Sequence, residues 1–129
     1  MKQYLFLIIL LIILSGCSNP RSLPTNIGDA LSHTKSVMRD QGLVTVGSYS
    51  PNEKVKFRIM VSRNITKEEA KRLAEDFIKE FENQLTNTDT DIDTFYKDHV
   101  VYFDLKSEVD GEILYEGKRE SVEEIWWKF

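Results

Sequence analysis

Leu5 to Leu14 is an unbroken run of ten apolar residues, and it decides which part of this chain can fold. Met1 and Lys2 give it a short positive start, and Ser15, Gly16 and Cys17 follow it. A helix needs roughly 18 to 20 apolar residues to span a bilayer, about twice what this run offers. A positive start, a short apolar middle and a small-residue cleavage point together describe a secretory signal peptide, which takes no part in the mature fold. Residues 1–16 are therefore expected to be removed. Residues 17–129 remain, enough for one modest core and one domain.

The four residues Leu14-Ser15-Gly16-Cys17 resemble the bacterial lipobox. The resemblance implies a diacylglyceryl group on the Cys17 sulfur and cleavage that leaves Cys17 as the first mature residue. It also implies a lipid-anchored location on the extracytoplasmic face of the cell membrane. Cys17 is the only cysteine, so no disulfide can form within one chain, although an exported compartment would permit one. Each buried methylene contributes about 0.8 kcal/mol, so two acyl chains anchor stably where one would be marginal. Residues 17–25 then read as the lipidated cysteine and a polar tether with two prolines, Pro20 and Pro24. Its eight residues from Ser18 to Thr25 reach at most about 28 Å, so the domain formed by residues 26–129 should sit close to the membrane.

Within that domain the hydrophobic period changes along the chain. From Asn26 to Gln41, Ile27, Ala30, Leu31, Thr34, Val37 and Met38 fall on one helical stripe, with Gly42 placed as a C-terminal cap. Leu43 to Ser50 is rich in Val, Thr and Tyr and reads as a strand. From Lys54 the chain alternates: Val55, Phe57, Ile59 and Val61 on one face, Lys54, Lys56, Arg58 and Met60 on the other. Pro51-Asn52 makes the turn between them. Thr66-Lys67-Glu68-Glu69 is a capping box, and Ala70, Leu73, Ala74, Phe77, Ile78, Phe81 and Leu85 predict a helix over about 67–85. Thr86 to Thr94 reads as a polar acidic loop. His99 to Glu108 and Glu112 to Lys118 read as strands joined by a tight turn at Asp110-Gly111, and Ile125 to Phe129 as a last short strand. The expectation is an α+β domain of order α-β-β-α-β-β, with a possible fifth strand. Its sheet of four or five strands would be antiparallel, with two helices packed on one face.

Few residues suggest chemistry. Asp89, Asp91 and Asp93 form a D-x-D-x-D run, but an EF-hand loop counted from Asp89 needs Gly and Glu where Thr94 and Val100 stand. The run is expected to be a solvated loop, and no metal is expected. His33 and His99 lack any metal-ligand or nucleophile spacing. Glu120, Glu123 and Glu124 lie near Trp126 and Trp127, as in some sugar-binding clefts. Glycosidases hold two carboxyls about 5 to 10 Å apart across a cleft, for which a single-sheet domain has little room. There is no phosphate-binding loop and no dinucleotide fingerprint. Neither an enzyme nor a cofactor is expected, and a small hydrolase ranks third among the readings.

Charge is divided along the chain. Residues 17–74 carry ten Lys/Arg and five Asp/Glu, whereas residues 75–129 carry six and sixteen. The acidic half argues against a nucleic-acid partner. Arg21, Lys35, Arg39, Lys54, Lys56 and Arg58 lie in the half nearest the tether and should turn it toward the membrane. Trp126 and Trp127 are adjacent, so in a strand they must point to opposite faces. Trp127 suits the core; Trp126 and Lys128 would face outward and are the candidate partner-binding residues.

Ile65 to Phe81 (ITKEEAKRLAEDFIKEF), followed by a strand-Asp-Gly-strand pair, resembles the small PepSY-type domains of exported bacterial proteins. That likeness implies an accessory or inhibitory domain acting on a secreted enzyme, and it is the second reading. The first is a non-enzymatic binding or interaction module at the cell envelope, with another envelope or exported protein as partner. Single-domain lipoproteins of this size and layout include exclusion and immunity proteins.

Overall fold

The computed structural model describes residues 25–50 and 54–128, with side chains described from Ile27 onward except in the strand Val44–Ser50. The signal segment, Cys17, the tether as far as Pro24, the turn at Pro51-Asn52 and Phe129 lie outside the described residues. The elements run α1 (Thr25–Asp40), β1 (Val44–Ser50), β2 (Lys54–Val61), α2 (Lys67–Asn87), α3 (Ile92–Asp98), β3 (Val100–Ser107), β4 (Ile113–Arg119) and β5 (Ile125–Lys128).

Local chemistry sets the helix ends. Gly42 closes α1 at φ +86°, a left-handed conformation that only glycine adopts without cost. Its N–H donates to the Arg39 carbonyl and the Leu43 N–H donates to that of Met38. At the start of α2 the Thr66 hydroxyl accepts from the Glu69 N–H, and the Glu69 carboxylate accepts from the Thr66 N–H at 2.9 Å. These reciprocal bonds satisfy two donors that a helix start leaves open. They also hold the Glu69 carboxyl below its usual range.

The sheet is α+β in class but not wholly antiparallel as expected. Its five strands lie in the order β1-β2-β3-β4-β5. β1–β2, β3–β4 and β4–β5 are antiparallel, and β2–β3 is parallel, with Phe57 beside Phe103 and Arg58 beside Asp104. The reason is the connection. Hairpin-length links give antiparallel neighbours, but β2 and β3 are joined through α2 and α3, and a crossover of that length returns the chain parallel. The acidic stretch expected as loop, Thr86 to Thr94, ends inside a third helix, α3, which runs on to Asp98. Seven residues are too few to show a helical period. The Asp91 carboxylate starts the helix by accepting from the Thr94 N–H at 2.8 Å. The expected tight turn at Asp110-Gly111 is part of a longer connection, Glu108–Glu112, between β3 and β4.

The helices and one sheet face enclose a single core. Val55, Phe57, Ile59 and Val61 of β2 and Val101, Phe103 and Leu105 of β3 meet Ala70, Ala74, Phe77, Ile78, Phe81 and Leu85 of α2. At the centre Phe57 stacks on Phe77 at 3.8 Å between ring centroids and on Phe103 at 5.4 Å. Thr34 is buried in α1, and its hydroxyl donates to the Ala30 carbonyl, so burial leaves it satisfied.

Candidate functional site

Among the described residues no helix covers the other sheet face, and period-two alternation makes it polar. Registration across β2, β3, β4 and β5 lines up two rows there. One is Lys56–Tyr102–Lys118–Trp126, and its neighbour is Arg58–Asp104–Glu116–Lys128. A groove of about 430 Å³ lies along these rows, with Lys56, Tyr102, Asp104, Lys118, Trp126 and Lys128 among its lining residues. Trp126 is 57% exposed. Its neighbour Trp127 is half-buried on the core face, edge-on to Phe103 at 4.9 Å. The two candidate partner-binding residues, Trp126 and Lys128, are thus together on the open face.

Gly117 makes this edge of the sheet possible. A Cβ there would fall 2.5 Å from both the Phe103 ring and the Trp126 carbonyl oxygen. Without a side chain at 117, Trp127 can close over Phe103 from the next strand.

Asp104 is the most buried charge on this face, at 2% exposure. Burial alone would raise its carboxyl. Burial is the largest single influence, and it is outweighed only by the two-pronged bond from Arg58, Nε at 2.5 Å and Nη2 at 2.8 Å, acting together with the charges of Arg58, Lys56 and Lys106. The carboxyl is therefore held below its ordinary range, and Arg58 is raised in turn by its bond to Asp104. Glu116 accepts from the Lys128 ammonium at 2.7 Å, and Glu120 from that of Lys118 at 2.7 Å. Lys54 lies over the Tyr102 ring at 5.7 Å.

A second polar cluster joins the layers at the other side of β4. The Tyr96 hydroxyl donates to Glu82 at 2.7 Å, and the Arg119 guanidinium pairs with the same carboxylate oxygen at 3.1 Å. Burial pushes the Tyr96 phenol well up, and the bond to Glu82 adds to this. The cluster clamps α2, α3 and β4 together, and Arg119 also donates to the Val122 carbonyl. Sequence reading missed it, because Glu82, Tyr96 and Arg119 come from three separate elements with no spacing in common.

The remaining candidates disperse. Glu120, Glu123 and Glu124 are exposed and do not line the groove beside Trp126; the carboxylates there are Asp104 and Glu116. His33 is exposed on α1, whereas His99 stacks on Phe95 at 4.7 Å. Asp91 is occupied as a helix cap, and among the described residues no group of three or more His, Cys, Asp or Glu could hold a metal ion. Among the same residues no helix is long and apolar enough to cross a membrane.

Charge is sorted by layer rather than by chain half. The open sheet face takes Lys54, Lys56 and Arg58 from the basic half and Lys106, Lys118 and Lys128 from the acidic half. Against these six cations stand Asp104 and Glu116 on the face and Glu120 at its edge, bonded to Lys118. Residues 67–98, which form α2 and α3, carry ten carboxylates and five cations. Compared with known proteins, the chain matches no family model, no curated protein and no solved structure.

Proposed function

We propose that this chain is a membrane-anchored extracytoplasmic lipoprotein whose domain works by binding rather than by catalysis, with the open sheet face as its contact surface. The anchor rests on Cys17 at the end of the Leu14-Ser15-Gly16-Cys17 phrase. The binding surface rests on one observation above all, the exposed Trp126 set among lysines on a face that no helix of the described residues covers. Exposed tryptophan is enriched among residues that dominate binding energy. The carboxylates of the groove favour binding over hydrolysis. Asp104 is held ionised by Arg58 and so is not poised as a proton donor, and Glu116 is bonded to Lys128.

Substitution of the anchor tests the reading. Cys17→Ala should abolish lipid labelling and leave either uncleaved precursor or protein shed into the medium. Unchanged membrane retention with a cleaved N-terminus would overturn it.

A further inference from the structure

Resting on that reading, we infer that the open sheet face docks on the anionic headgroups of the membrane that holds the anchor, with Trp126 seated in the headgroup layer. The chain as a whole is acidic, with a formal net charge of −4, yet this one face gathers six cations from β2, β3, β4 and β5. Three carboxylates pair with cations of this face, Asp104 with Arg58, Glu116 with Lys128 and Glu120 with Lys118, and six cations against three leave the face net positive. Lys56, Lys118 and Lys128 line the groove, but Lys54, Arg58 and Lys106 extend the cations beyond it over neighbouring strands, and a laterally continuous anionic surface meets them all.

The rest of the molecule selects the orientation. Glu68, Glu75, Asp76, Asp91, Asp93 and Asp98 are exposed on the helical layer. Turned toward the membrane, that layer would be repelled; turned away, it lies beyond the roughly 8 Å over which charges act at physiological salt. Trp126 adds the apolar part of the contact. Tryptophan favours the membrane–water interface, where its ring is half wet and its N–H finds partners. Tyr102 lies in the same row, two strands away.

The chain has only two tryptophans, which gives a direct readout. The full lipidated chain carrying Trp127→Phe is reconstituted in nanodiscs of phosphatidylcholine alone, or with about 30% phosphatidylglycerol to supply anionic headgroups. Acrylamide quenching then reports Trp126. Docking predicts quenching about threefold weaker and emission shifted to the blue in the anionic discs, as the indole enters the headgroup layer. Both effects should disappear in high salt and in the Lys56→Glu/Lys118→Glu variant. The wild-type chain gives a second measurement that does not depend on tolerance of Trp127→Phe, since Trp127 is already half-buried. Retention in both discs with equal quenching would overturn the docking and leave the anchor standing. So would protection gained only on adding an acidic polypeptide such as polyglutamate, which would make the face a protein site. Loss of the chain from phosphatidylcholine discs would overturn the anchor itself, and the docking with it.

Discussion

The two faces of this sheet are made by the same strands, residue by residue, yet they obey different rules. On the core face Phe57, Phe103 and Trp127 fill space against one another and against Phe77, and each depends on its neighbours' shapes. On the open face Lys56, Tyr102, Lys118 and Trp126 lie side by side in one row, with no packed layer of described residues over them. The difference teaches where substitutions should tell. Changes on the core face should alter stability, and changes on the open face should alter what the domain meets.

The largest effect is expected at the centre of the core. Phe77→Ala removes a ring stacked on Phe57 at 3.8 Å in a fully buried position. It should destabilise by about 3 to 5 kcal/mol, read by urea unfolding. Gly117→Ala comes next, since its methyl group would press on the Phe103 ring and the Trp126 carbonyl at 2.5 Å. Overpacking of this kind costs about 1 to 3 kcal/mol. Measured against Phe103→Leu alone, the cost that Gly117→Ala adds should be smaller, because only the contact with the Trp126 carbonyl remains; if Gly117→Ala is neutral, the close approach is not what fixes glycine there.

Asp104 lies between the two regimes, buried but on the open face. Its carboxyl is held below the ordinary value, so the pair with Arg58 stabilises fully above the unfolded value of about 4 and is lost as pH falls through the folded value. At neutral pH, Asp104→Asn should cost about 1 to 3 kcal/mol. The gap between wild type and variant should close below about pH 4. A gap that persists unchanged into acid would mean that the carboxylate charge is not what stabilises. Smallest of all, Lys56→Glu with Lys118→Glu should leave unfolding free energy within about 0.5 kcal/mol per site, as exposed surface positions usually do. A large loss would show that the open face also builds the fold.

Local devices were the legible part of this fold. The capping box at Thr66, the stripe from Ala70 to Leu85 and the alternation from Lys54 to Val61 each rest on a few neighbouring residues, and the structure contains them all. The outward Trp126 and inward Trp127 followed from strand parity alone. What stayed hidden depended on distant residues. The parallel pairing of β2 with β3 is a property of the whole crossover, not of either strand. The Arg58–Asp104 pair spans 46 positions, and the Glu82–Tyr96–Arg119 cluster draws on three elements. The basic face was hidden because folding takes its cations from both halves of the chain, so a division by sequence half put Lys106, Lys118 and Lys128 on the wrong side.

The two adjacent tryptophans test the division of the sheet most directly. Urea unfolding of wild type, Trp126→Ala and Trp127→Ala compares one residue type on the two faces, one position apart. Trp127→Ala should lose about 3 kcal/mol, because it opens the packing over Phe103. Trp126→Ala should stay within about 0.5 kcal/mol of wild type, since the residue is 57% exposed. Equal destabilisation by the two substitutions would contradict the account, because the open face would then be part of the core.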